Sequence, residues 1–285
     1  MRSEEEMMEL ILGIARDDDR IRAVLLNGSR ANPEIAKDIF QDFDIVYIVS
    51  ELNSFTQDNS WVDVFGDRLI MQLPEEMIIG EKNNHSFSYL MLFKDRNRID
   101  LTLFPIDKLE TGFRPDSLTI PLIDKDKRFQ NLASPTNADY LIQQPTEKLF
   151  MDCCNEFWWV STYVGKGLWR NDITYAKDML EGPVRSMFMK IIEWNIGIQT
   201  NFNTSVGQSG RNMKKYISNK LYDKILSTYP DSNIKNIWSS LFLMTDLFDE
   251  YAKEIAKKME FTYNESEASN VREHLKWILM KSDNK

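Results

Sequence analysis

Three carboxylates in the first hundred residues stand where apolar strands would not ordinarily carry them. The stretch LLNGSRANPEIAKDIFQDFDIVYIV, residues 25 to 49, breaks one apolar run at Asn27-Gly28-Ser29-Arg30 and opens a second with Asp42-Phe43-Asp44. Alternate side chains of a strand share a face, so Asp42 and Asp44 point one way while Phe43, Ile45 and Tyr47 point the other. Two carboxylates held side by side repel, and an oxygen-preferring divalent ion such as Mg²⁺ relieves that repulsion. RIDLTLFP (98–105) repeats the pattern, with Asp100 sharing a face with Arg98 and Thr102, opposite Ile99, Leu101 and Leu103. On a neighbouring strand Asp100 would complete a three-carboxylate cluster. Gly28-Ser29 ends the first strand with a backbone able to approach a ligand closely, and with amides and a hydroxyl suited to phosphate oxygens. Alone, a Gly-Ser turn usually just connects elements and an acidic pair is usually a solvated strand end. In combination they point to a metal-dependent nucleotide site.

The elements that must position these residues can be read from periodicity. EEEMMELILGIAR (4–16) puts Met7, Met8, Ile11, Leu12 and Ile14 near one stripe of a helix, with glutamates at its dipole-favoured start. IRAVLLNG (21–28), FDIVYIV (43–49), DRLIMQLP (67–74), FSYLMLFKD (87–95) and RIDLTLFP (98–105) read as strands, and KDRNR as a hairpin connection. In this reading only one face of 43–49 is buried, and the other is a platform for the carboxylates. Five prolines run from Pro105 to Pro145, and residues 106–145 have no sustained period, so they read as a linker with short local structure. Beyond Pro145 the period becomes helical, with Thr146 capping 147–169, followed by helical stretches at 183–200, 212–229, 233–259 and 267–282. The expected fold is α+β: a mixed sheet with flanking helices in residues 1–135, then an all-α bundle in 136–285.

Composition excludes several functions. A net charge of −9 from 35 basic and 44 acidic residues argues against general affinity for nucleic acid or anionic lipid, and suits a cationic small molecule. The only cysteines, Cys153 and Cys154, are adjacent, so neither a disulfide framework nor a four-thiolate zinc site can be built. Glutamates occupy the place of a signal peptide's basic segment, and no apolar run approaches the roughly 20 residues of a membrane span. A cytoplasmic protein is expected. The chain has no GxxxxGK[ST] loop, GxGxxG, HExxH or GxSxG, and its two histidines exclude a histidine-rich metal site.

Gly28-Ser29, then Asp42-Phe43-Asp44, then Asp100 resembles the signature of the polymerase-β-like nucleotidyltransferase superfamily. The longer strings NGSRANP, KDIFQDFDIVY, FGDRLIMQLP, NRIDL, CCNEFWW, KGLWR and LSTYP resemble the bacterial aminoglycoside 6-adenylyltransferases that inactivate streptomycin. The resemblance runs through most of the chain and departs nowhere at the three acidic positions. It implies transfer of AMP from ATP to a drug hydroxyl, with release of pyrophosphate. In that reaction Asp42 and Asp44 would hold Mg²⁺ while Asp100 reaches the metal near the attacking oxygen and takes its proton. Gly28 and Ser29 would hold the β- and γ-phosphates, with Arg30 either adding charge there or standing as a solvated turn residue.

The second half offers Glu156 as an alternative general base, as a partner for a cationic group of the drug, or as a surface salt-bridge residue. Lys166 is a cation for the triphosphate and Trp169 a flat surface for adenine or sugar. The aromatic residues and cysteines of CCNEFWW read as core, and the basic loop 205–216 as an interhelical turn. Two rivals to the drug-modifying reading are transfer to another small-molecule or protein hydroxyl and a non-catalytic nucleotide-binding module. A third is a structural protein whose DxD is only an exposed strand end.

Overall fold

The computed structural model describes residues 1–80 and 85–282. The chain divides into two units, Met1–Asp139 and Tyr140–Lys285. The first holds a mixed six-stranded sheet with helices and the second is helical, so the fold class is α+β.

Helix α1 (Glu4–Asp17) starts at a capping box: the Glu6 amide donates to Ser3 Oγ at 3.1 Å and the Ser3 amide donates to Glu6 Oε2 at 2.7 Å. Its Met7, Ile11 and Ala15 are buried on the sheet. β1 (Ile21–Asn27) and β2 (Phe43–Val49) follow, then the single-turn α2 (Asn53–Thr56) and β3 (Arg68–Gln72). The remaining elements of the unit are β4 (Phe87–Phe93), β5 (Arg98–Pro105), the single-turn α3 (Leu109–Gly112) and β6 (Ile120–Asp124). The sheet order is β3-β4-β5-β2-β1-β6. Among the described residues only β2 and β5 run parallel, and every other neighbouring pair is antiparallel.

Two sequence expectations for this first unit need correction. The stretch read as a linker contains β6, which pairs antiparallel with β1. Its Pro121 removes a backbone donor, a loss that an edge strand tolerates. Nor is the carboxylate-bearing face of β2 wholly open. Val46 and Ile48 are buried there against Ala23, Leu25, Phe104 and Phe129, a second small core on the sheet's other side. The opposite face carries Phe43, Ile45 and Tyr47 in the main core, with the Tyr47 hydroxyl donating to the carbonyl of Ile11 at 2.6 Å. Buried apolar residues on both faces are what a central strand requires. Asp42 and Asp44 lie at the amino-terminal edge, where the second core has ended.

The helical unit comprises α4 (Glu147–Arg170), α5 (Ile173–Met179), α6 (Arg185–Gln199), α7 (Asn219–Leu226), α8 (Ile234–Met259) and α9 (Glu265–Ser282). The Leu149 amide donates to Thr146 Oγ1 at 3.2 Å, which caps α4 as the sequence suggests. The helical stretch expected over 212–229 is shorter than its pattern: Ser218 caps a separate helix at 219, and only a 3₁₀ turn precedes it. Phe157 of α4 stacks on Phe248 of α8 with centroids 3.6 Å apart, which accounts for the aromatic residues of CCNEFWW as core. Gly165 lets α4 and α9 approach closely, since a Cβ there would meet Leu275 Cδ2 at 2.8 Å. No helix among the described residues is long and apolar enough to cross a membrane.

Candidate active site

The first unit brings Gly28, Ser29, Asp42, Asp44 and Asp100 to one edge of the sheet. The parallel register of β2 and β5 pairs Phe43 with Ile99 and Asp44 with Asp100. The antiparallel register of β1 and β2 pairs Asn27 with Asp44, which delivers the Gly28–Arg30 turn beside the same carboxylate. Gly28 has φ +69°, and a Cβ built on it would collide with Asp44 Oδ2. Glycine is therefore required twice at this position, by its backbone conformation and by the approach of the carboxylate.

The electrostatics of the edge are unbalanced. Burial pushes the Asp44 carboxyl up to about 6, with the carboxylates of Asp100 and Asp42 adding to the rise. Burial also raises Asp42, Asp100 adds to that, and Arg98 pulls against it. Arg98 supplies the nearest positive charge. Its Nε and Nη2 each donate to an oxygen of Asp100 at 2.7 Å, and Nη1 lies 3.5 Å from Asp42 Oδ2. The sequence shows Arg98 on the same face as Asp100, two residues away. That spacing was the available signal for a pairing that the expected site left without a role.

Arg30 is held by the chain itself and is not the solvated turn residue that was one of its two expected readings. It is nearly buried, with its side chain 9% exposed, and donates to the backbone carbonyls of Asp42 at 3.0 Å and Gln41 at 2.8 Å. Its guanidinium also lies 3.8 Å from the centroid of the Phe43 ring and 3.3 Å from Glu4. In this arrangement Arg30 fixes the backbone from which Asp42 and Asp44 project.

The donor set suits a hard divalent ion. It consists of the carboxyl oxygens of Asp42, Asp44 and Asp100, the first two raised by burial and by their carboxylate neighbours, and of two buried side-chain oxygens on flanking residues, Asn27 Oδ1 and Gln41 Oε1, that lack a hydrogen-bond partner. Among the described residues no three acidic, histidine or cysteine side chains are already gathered about a metal-sized point. The Arg98 guanidinium is instead paired with two of the three carboxylates.

In the helical unit, Glu156 is exposed on α4. Lys166 and Trp169 lie three residues apart on the same helix and line a groove of about 600 Å³ with Tyr163, Arg170, Trp277 and Lys281. The Lys166 ammonium lies 4.6 Å from the Tyr163 ring centroid. This lining carries cations and aromatic rings and no carboxylate. The two cysteines are buried; burial pushes the Cys153 thiol up to about 12 and raises Cys154 as well, so neither is poised as a nucleophile.

Comparison with known proteins gives these residues a family. A family model described as streptomycin adenylyltransferase matches residues 1–278. An aminoglycoside 6-adenylyltransferase of Campylobacter jejuni is 43% identical over 263 residues, covering 92% of this chain and 91% of that protein. One from Bacillus subtilis is 42% identical over 265 residues, covering 92% and 93%. A crystal structure of an aminoglycoside 6-adenyltransferase from Bacillus subtilis is 37% identical, covers 98% of this chain and 99% of its own, and superposes with a TM-score of 0.49. These relatives set the chain among the nucleotidyltransferases. More narrowly, the chain belongs to the streptomycin adenylyltransferase family.

Proposed function

We propose that the protein transfers AMP from ATP to the 6-hydroxyl of streptomycin in the cytoplasm, releases pyrophosphate, and so confers resistance. The observation that carries this reading is the register: Asp44 stands beside Asp100, with the Gly28 turn against Asp44, in a chain of this family. Asp42, Asp44 and Asp100 would hold Mg²⁺. When bound, the ion supplies positive charge against the phosphate oxygens and the leaving pyrophosphate.

The chain's own residues do the rest. The amides of the Gly28–Ser29 turn bind the β- and γ-phosphates, and Arg30 holds that turn's neighbour strand in place through the carbonyls of Gln41 and Asp42. The drug hydroxyl oxygen attacks the α-phosphorus, the bond to pyrophosphate breaks, and the hydroxyl proton passes to the carboxylate of Asp100. Of the helical unit, Lys166 serves as a cation for phosphate and Trp169 as a stacking surface for a ring. Glu156 is assigned to the drug's cationic groups and is the competing proton acceptor. A net charge of −9 favours a polycationic acceptor.

The test follows pyrophosphate release from ATP, Mg²⁺ and streptomycin. Turnover should depend on the drug and disappear in Asp42→Asn, Asp44→Asn and Asp100→Asn. Release that ignores streptomycin would refute the acceptor, and full turnover in all three variants would refute the site. Turnover retained in Asp100→Asn, together with loss of the acidic limb of the pH–rate profile in Glu156→Gln, would transfer the role of base to Glu156.

A further inference from the structure

We propose that Arg98 is a resident counter-cation of the acidic edge, a positioning residue that holds Asp100 and Asp42 until a divalent ion displaces it. The proposal rests on the reading that these carboxylates hold such an ion, and it concerns what occupies their oxygens beforehand. Strand geometry sets the arrangement: Arg98 and Asp100 are two residues apart on one face of β5, and the register pairs Asp44 with Asp100. Asp42 lies two residues before Asp44 and so falls level with Arg98. The four side chains form two rows on one face of the sheet, three negative and one positive.

The guanidinium engages this group asymmetrically. It forks onto both oxygens of Asp100 at 2.7 Å and only approaches Asp42, at 3.5 Å. A two-point fork fixes the rotamer of Asp100 as well as offsetting its charge. The Arg98 side chain is 43% exposed, so it has solvent into which it can withdraw. Arg30, the other nearby guanidinium, is nearly buried and bound to two backbone carbonyls, and cannot exchange roles with it. An entering divalent ion therefore competes with Arg98 for the same oxygens, and the released guanidinium remains tethered beside the edge.

The sign of one binding change separates this role from a merely structural one. Mn²⁺ is titrated into the full-length protein without nucleotide and followed by electron paramagnetic resonance. Removing the competing charge in Arg98→Ala should tighten Mn²⁺ about tenfold. Arg98→Gln, which keeps hydrogen-bonding capacity and loses the charge, should tighten it in the same direction, whereas Arg98→Lys should stay close to the unaltered protein. Weaker or unchanged Mn²⁺ binding in folded Arg98→Ala or Arg98→Gln would overturn the proposal. If Asp44→Asn abolishes binding while neither neutral Arg98 variant tightens it, only the role of Arg98 fails. If Asp44→Asn binds Mn²⁺ as well as the unaltered protein, the ion is not at this edge, and the metal reading of the site fails with it.

Discussion

Two partly buried aspartates, one in each unit, show opposite treatments of a charge. Asp249 of α8 faces Lys253 at 3.0 Å, accepts from the Tyr263 hydroxyl at 2.9 Å and lies 3.6 Å from Arg272. Its carboxylate is surrounded by positive and donating groups. Asp44 of β2 stands opposite another carboxylate and close to a third, is opposed by burial, and draws relief only at a distance from Arg98 and Arg30. The first arrangement is architecture, tying α8 to the segment before α9. The second is left short of positive charge, at an electrostatic cost that a bound cation would remove.

Substitutions that abolish this contrast should act on different observables. Converting Asp42, Asp44 or Asp100 to Asn removes a charge from the underbalanced edge, and each should lower AMP transfer by about a thousandfold in a pyrophosphate-release assay. Gly28→Ala adds a Cβ in the left-handed region and drives it against Asp44, so transfer should fall about a hundredfold through misplacement of that carboxylate.

Stability should separate the two aspartates by sign. Asp249→Asn takes from Lys253 and Arg272 one of the two carboxylates each faces, leaving Glu265 and Asp246, and takes a charged acceptor from the Tyr263 hydroxyl; it should destabilise the fold by about 2 kcal/mol in urea unfolding. Asp44→Asn should do the reverse. Because the folded pKa of Asp44 is raised to about 6 from the ordinary aspartate value of 3.8, its favourable contribution is complete below about pH 3.8 and is lost as pH rises through 6. Above pH 6 without divalent ions, the Asn variant should therefore be the more stable by about 2 kcal/mol, a figure reduced from the full shift for partial exposure. The smallest effect is expected in the α4–α9 groove, where Lys166→Ala should raise the KM for ATP about threefold with little change in kcat.

Much of the edge was legible because strand periodicity is strict. The alternation in DFDIVYIV and RIDLTLFP fixes which carboxylates share a face, and the break at Asn27-Gly28 fixes the end of β1. The pairing of Asp44 with Asp100 was not legible, because parallel register arises from tertiary packing that no local pattern encodes. Pro121 and the shortness of Ile120–Asp124 concealed β6, whose strand character comes from pairing with β1. The task of Arg30 was hidden for a different reason: its partners are backbone carbonyls, which have no sequence signature. Arg98 was visible as a neighbour of Asp100 but not as its fork, since an arginine two residues from an aspartate can turn equally well to solvent. In the helical unit the period ran on through 212–218, where the chain forms only a 3₁₀ turn before Ser218 restarts a helix.

The most direct measurement is the melting temperature of the unaltered protein and of Asp44→Asn at pH 7.5, each with and without Mg²⁺ and ATP. An edge left short of positive charge predicts a lower melting temperature for the unaltered protein alone and a rise on adding Mg²⁺ and ATP. Asp44→Asn should start higher and gain little. Equal gains in both proteins, or a variant that starts lower, would contradict the claim that Asp44 is held in readiness for a cation.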